Sequence, residues 1–242
     1  MEHWRTAGDG AELATAVGQL QLGEDSGLAW LRLQRLGDGS VALSRSTLQL
    51  ERGSALELLA LDRGGELVRG EWRAALRGRE ARCMVSGVAR VTGARHLEHA
   101  LEVRHLAPAT AAEVRFRGVA EDRGRAVFTG TLYVAPGADG TETRLSSRNL
   151  LLSPQAEIDT RPVLEIHNDE VVAGHGATVG QLDPEALFYL RSRGIPEAAA
   201  RALLIEAFLG ELLAGVTDPE LAAQLAAELG SVGATPGSED RE

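Results

Sequence analysis

The stretch Arg148–Arg193, RNLLLSPQAEIDTRPVLEIHNDEVVAGHGATVGQLDPEALFYLRSR, is where one kind of chain gives way to another. Its apolar run Leu150, Leu151, Leu152 stops at Ser153-Pro154, because proline cannot donate to a strand ladder. Val163, Leu164 and Ile166, then Val171 and Val172, suit one or two short strands, with Asn168-Asp169 as turn chemistry between them. The pair of glycines in Gly174-His175-Gly176 predicts a sharp bend that leaves the imidazole uncrowded. Asp183-Pro184-Glu185 predicts a helix start: an Asp cap, a proline in the first helical position and an acid in the first turn. Leu187, Leu190 and Phe188 give that helix an apolar face, and Gly194 ends it.

Upstream, short apolar segments recur between Gly, Ser and Asp. Leu28, Trp30, Leu31 and Leu33 close at Gly37-Asp38-Gly39. Val41–Leu43, Leu48–Leu50, Leu56–Leu59, Leu67-Val68 and Trp72–Ala74 follow, and the rhythm runs on to Leu132–Val134. Many of these segments alternate apolar with polar, the period-two mark of a strand with one buried face. A body of short strands is expected. Sandwich, barrel and β-helix all satisfy the pattern, and no strict repeat period singles one out. Ala11 to Leu22 reads either as a short helix or as a loop leading into a strand.

Downstream the period changes. Pro184–Arg193 is expected to be helical, and Pro196 opens a second helix whose apolar residues run from Ala198 to Leu213 at helical spacing. Asp218-Pro219-Glu220 predicts a third, with Leu221, Leu225 and Leu229 at four-residue steps. Ser231–Glu242 is small and polar and is expected to be disordered. The expected organisation is a short N-terminal segment (1–27), a β core (28–182), a C-terminal helical region (183–230) and a tail (231–242).

The 242 residues suffice for one sizeable core, or one plus a small appendage. Aromatics are only 4% while glycine numbers 28, which fits a fold of many turns filled by aliphatic side chains. A net charge of −10 argues against a general nucleic-acid or anionic-membrane binder. Cys83 is the one cysteine, so no intrachain disulfide forms and a reducing cytoplasm is the default. Residues 1–10 carry no signal-peptide pattern, and no apolar run reaches the ~20 residues of a membrane span.

Several blocks, in order, resemble the SufB/SufD family of iron–sulfur cluster assembly scaffold proteins, on the SufD-like side. They are His105-Leu106-Ala107-Pro108, Phe116-Arg117-Gly118-Val119, Gly124 to Gly130, Asn149 to Ser153 with Ala156 to Pro162, Gly174 to Gly180, and Leu187 to Ile195. The likeness is strong from about His99 to Leu213. It implies a mainly β fold, a right-handed parallel β-helix with a C-terminal α-helical subdomain. It implies a non-catalytic subunit with two partners: a SufB-like subunit (or a second copy of itself), and the ABC-type ATPase SufC. Family members are commonly longer, with an N-terminal helical region this chain mostly lacks. Relatives carry cysteines where this chain has Ala156 and Ala173, so cysteine ligation of a cluster is not expected from this subunit.

Among the candidate chemical residues, His175 ranks first. A neutral imidazole can ligate iron, and the resemblance places it at the subunit interface with Gly174, Gly176 and Glu165. No tightly bound cofactor is expected, only a transient cluster or iron at that interface. The plain alternative is a turn histidine bonded to backbone. His96, His99 and His105 form a loose group in which His99 and His105 share strand parity, but their spacing matches no standard zinc motif. Glu157 and Asp159 would share a strand face as an acid–base or metal pair; the preferred reading is a turn in which Asp159 caps amides and Arg161 offsets its charge. Gly174, Gly176 and Gly180 miss the dinucleotide spacing, and neither a Walker A lysine nor a GxSxG serine is present. For the C-terminal helices, acidity and broad apolar faces favour protein docking over DNA binding. Phe188, Tyr189, Leu203, Leu204, Phe208 and Leu212 are the expected mix of core and SufC-docking residues. The rival reading is a metal-dependent enzyme on a β-helix or sandwich, using His99, His105 and carboxylates.

Overall fold

A computed structural model describes residues 2–5, 11–212, 216, 219–220 and 223–224. Among the described residues, thirteen strands precede the helices α1 (Pro184–Ser192) and α2 (Glu197–Gly210). The strands are β1 (Glu2–Arg5), β2 (Leu13–Leu22), β3 (Gly27–Leu36), β4 (Val41–Leu50), β5 (Ala55–Gly64), β6 (Leu67–Leu76) and β7 (Arg82–Val91). They continue as β8 (His96–His105), β9 (Ala111–Ala120), β10 (Arg125–Val134), β11 (Thr141–Leu151), β12 (Glu157–Ile166) and β13 (Val171–Gly180).

Odd strands form one seven-stranded sheet and even strands one six-stranded sheet, each in sequence order and every pairing parallel. The chain therefore alternates between sheets at each turn, a parallel β-solenoid of roughly six coils. This resolves the choice left open by pattern. It also shows why the period was hidden: Leu13 pairs with Val41, Val41 with Leu67, Leu67 with His96, and Arg125 with Glu157. Strand length is nearly constant while the connections vary by a few residues, so the coil is a drifting repeat.

Three expectations change. Leu13–Leu22 is a strand paired with β4, so the helical alternative for this segment fails and the solenoid begins before Leu28. Pairs of short apolar segments, such as Leu67-Val68 with Trp72–Ala74, are single ten-residue strands. Gly174-His175-Gly176 is not a bend. It lies in the middle of β13, and neither glycine has a positive φ.

Side chains alternate into the space between the sheets: Leu56, Leu58 and Ala60 from β5, Leu97 and Leu101 from β8, Phe128 and Leu132 from β10. In β5 the alternation disappears, because Leu59 and Leu61 on the other face are buried too. A strand buried on both faces reads as a continuous apolar run, which is what Leu58–Leu61 is.

One corner of the coil is built by a stacked left-handed residue. Asp25, Gly53, Glu80, Ala109 and Gly140 all have positive φ. The N–H of each donates to the next coil: Asp25 to Arg52 O, Gly53 to Arg79 O, Glu80 to Pro108 O, Ala109 to Asp139 O and Gly140 to Glu170 O.

Residues 1–180 and 181–242 are separate compact units. In the second, Asp183 Oδ1 accepts from the Glu185 N–H at 2.9 Å, Pro184 opens α1, and Gly194 follows it at φ 86°, as its sequence predicts. α1 and α2 pack together, with Arg191 and Glu197 3.3 Å apart. Most of the third expected helix, and the tail, lie outside the described residues.

Candidate functional site

The solenoid presents two strand edges at one end. β13 ends the seven-stranded sheet and β12 ends the six-stranded one. An edge strand carries a row of unpaired backbone donors and acceptors, a template for another chain. Their side chains fit that role: Val172 is 55% exposed, Val179 43% and Ile166 37%.

His175 sits in β13 opposite Leu145, a core residue of β11. Its register is that of an inward position, yet it is exposed because no further coil stacks beyond it. A Cβ added at Gly174 or Gly176 would meet nothing within 4 Å. These glycines leave bare backbone around the histidine instead of turning the chain. Glu165 shares this terminal coil but not this face. It lies on the outer side of β12, bonded to His167 Nε2 at 2.9 Å. His167 in turn packs 5.5 Å from Tyr133, and the Arg104 guanidinium covers that ring at 4.7 Å.

The carboxylate pair behaves otherwise than expected. Glu157 and Asp159 do share the outer face of β12, in a strand and not a turn. Arg125 of β10 lies between them, 2.7 Å from Asp159 and 3.5 Å from Glu157. The Asp159 hydrogen bond raises the Arg125 pKa. An arginine clamp, and not a proton-transfer pair, is what these groups form; Arg161 is not the partner.

The histidine group also comes apart. His99 and His105 share the inward face of β8, as parity requires, but each has its own partners. His105 Nδ1 lies 2.8 Å from Thr110 Oγ1, and burial depresses its pKa to about 4. His99 Nε2 lies 3.2 Å from Asp62 Oδ2, and Asp62 also accepts from Arg32 at 3.0 Å. Burial alone would raise the Asp62 carboxyl, but the Arg32 guanidinium and His99 hold it below its usual range. Trp72 and Phe116 pack on the His99 ring at 4.8 and 5.9 Å. His96 is half-buried on the other face of β8. Among the described residues, no three His, Cys, Asp or Glu side chains converge as metal ligands would. Cys83 is buried, and desolvation pushes its thiol to about 12, which makes it an inert core residue.

Sequence reading missed the Arg32–Asp62–His99 network. Arg32 and Asp62 are 30 residues apart and sit on adjacent coils, where the backbone register pairs Arg32 with Ala60 and Asp62 with Gln34, so their contact is a diagonal one that no fixed spacing reveals.

Of the expected docking residues, Phe188 (72%), Tyr189 (57%) and Leu203 (47%) are exposed. Leu204 and Phe208 are half-buried, and Leu212 is fully buried, a core residue.

The architecture defines the class: a parallel β-solenoid ending in two open edges, followed by a small helical unit with exposed aromatics. The family model described as "SUF system FeS cluster assembly, SufBD core domain" matches residues 1–208. The iron–sulfur cluster assembly protein SufD of Escherichia coli is 46% identical over 112 residues, 46% of this chain and 26% of that protein. SufD of Bacillus subtilis is 38% identical over 112 residues, again 46% of this chain and 26% of its own length. An iron–sulfur cluster assembly SufBD family protein of Mycobacterium tuberculosis is 34% identical over 200 residues, 79% of this chain and 50% of its own. The chain thus spans from about a quarter to half the length of these relatives. It belongs to the SufB/SufD core-domain family of iron–sulfur cluster assembly.

Proposed function

We propose that the chain is a SufD-like scaffold subunit of an iron–sulfur cluster assembly complex in the cytoplasm, and not itself an enzyme. It pairs with a SufB-like subunit through the terminal coil, β12 and β13, and binds a SufC-type ATPase through its helical unit. ATP-driven closure of that ATPase strains the scaffold and opens the shared interface to iron or sulfur, its transient cargo. The observation that carries this reading is the pair of open strand edges at one end, with His175 exposed between two glycines. Such edges add strands from a partner, and a neutral imidazole there is an iron ligand. Phe188 and Tyr189 on α1 and Leu203 on α2 support the second contact, since exposed aromatic and large apolar side chains favour protein docking. Ala156 is buried and Ala173 lies in β13, so this subunit brings no thiolate at either position.

Co-expression with SufB-like and SufC-like proteins, followed by chromatography with light scattering, tests the reading. A stable three-component complex is expected. A chain that elutes only with itself points instead to a homodimer that keeps the interface without cluster chemistry. A chain that binds neither protein in any nucleotide state sinks the proposal.

A further inference from the structure

Beneath the terminal coil lies a polar group that the partner reading does not use. Asn149, on β11, is buried. Its Nδ2 donates to the Thr178 carbonyl of β13 at 3.1 Å and to Ser147 Oγ at 3.0 Å. Ser147 Oγ in turn accepts from Thr160 Oγ1 of β12 at 2.8 Å. One chain of hydrogen bonds therefore runs from β12, across β11, to β13. The amide orientation is fixed by chemistry, because a carbonyl only accepts and the group facing it must be NH2.

Gly118 of β9 stands opposite Asn149 in register. A Cβ there would lie 2.4 Å from Asn149 Oδ1. The glycine thus leaves the space this amide occupies. Among the described residues Asn149 Oδ1 has no partner of its own, so the residue keeps a buried acceptor unsatisfied while its donors are used. An apolar residue would fill the site without that penalty.

We propose that Asn149 is a positioning residue for the partner-binding end. Seated in the space left by Gly118, it clasps the two edge strands β12 and β13 at a fixed separation. Backbone pairing alone holds β13 on one side only, and β12 and β13 belong to different sheets; the clasp links them. Its importance for partner binding rests on the scaffold reading above, but the clasp itself does not.

Hydrogen exchange by mass spectrometry on the intact chain tests it, comparing wild type with Asn149→Leu, Gly118→Ala and the double variant. Leucine keeps the volume and removes the donors; alanine keeps Asn149 and displaces its amide. Loss of one buried hydrogen bond predicts about tenfold faster exchange in β12 and β13 in each single variant. β3 to β8 should be unchanged, and the double variant should be no faster than either single one, since both remove one interaction. Unchanged β13 exchange in both variants overturns the proposal, as does uniform loosening of the whole solenoid or additive effects. Affinity for a SufB-like partner is measured separately: if wild type binds none, the scaffold reading fails and the exchange result still decides the clasp.

Discussion

Asp62 is completely buried, with Arg32 and His99 as its partners. Removing one member of a buried pair leaves the other uncompensated, which costs more than the pair contributes. Asp62→Ala should destabilise the chain by about 3–5 kcal/mol, read as a lower urea midpoint at unchanged slope. His105 acts in the opposite sense to a paired cation. Its pKa is depressed in the folded protein from 6.5 to about 4, so the neutral form is favoured by folding. The stability it contributes is present above pH 6.5 and is lost as pH falls from 6.5 toward 4. The linked change is about 3 kcal/mol. Replacing His105 with leucine should flatten the stability profile over that window; an unchanged slope would show that another group titrates there.

At the scale of elements, the coil corner concentrates strain. Asp25, Glu80 and Ala109 occupy a left-handed position that glycine fills in the equivalent turns at Gly53 and Gly140. A non-glycine residue there costs roughly 1–2 kcal/mol, partly offset because it restricts the unfolded chain. Ala109→Gly, at φ 57°, should therefore stabilise by about 0.5–1 kcal/mol and raise the melting temperature by about 1–4 °C. A fall would mean that the Ala109 side chain itself packs usefully. The period-two pattern revealed the strands well where one face is open, as in β10 and β8. It broke down in β5, where Leu59 and Leu61 are buried with Leu58, and at Gly174 and Gly176. Glycine beside histidine suggests a turn by local chemistry. Pairing of Val171–Gly180 with Thr141–Leu150 overrides that local preference and extends it.

For the whole molecule, the candidate surfaces belong to different units of the chain and can be tested apart. Phe188→Glu with Tyr189→Glu changes two exposed side chains of a helix that has no buried residue. Stability should move by less than about 0.5 kcal/mol. If the scaffold proposal holds, binding of a SufC-like ATPase should fall at least tenfold while pairing with a SufB-like subunit persists. Val172→Lys with Val179→Lys, on the edge strand, should do the reverse, since edge lysines oppose strand addition. Both losses would be read by co-purification and light scattering. Equal loss of both partners from either double variant would show that the two surfaces are not independent.

The sequence by itself determined much of the local structure: strands from alternation where one face is open, α1 from its Asp183 cap, Pro184 and Gly194, and the family from blocks such as Gly174–Gly180. These are local signals, carried by residues within one turn or one strand. The tertiary structure decided what depends on residues a coil apart. It bore out the β-helix that the family blocks implied and that strand pattern alone left open, put His99 with Asp62 and Arg32, placed Arg125 between Glu157 and Asp159, and seated Asn149 against Gly118. Those contacts join positions about thirty to forty residues apart through connections of uneven length. A pattern that drifts by a residue or two per coil leaves no fixed spacing to read, and only the stacked backbone restores the register.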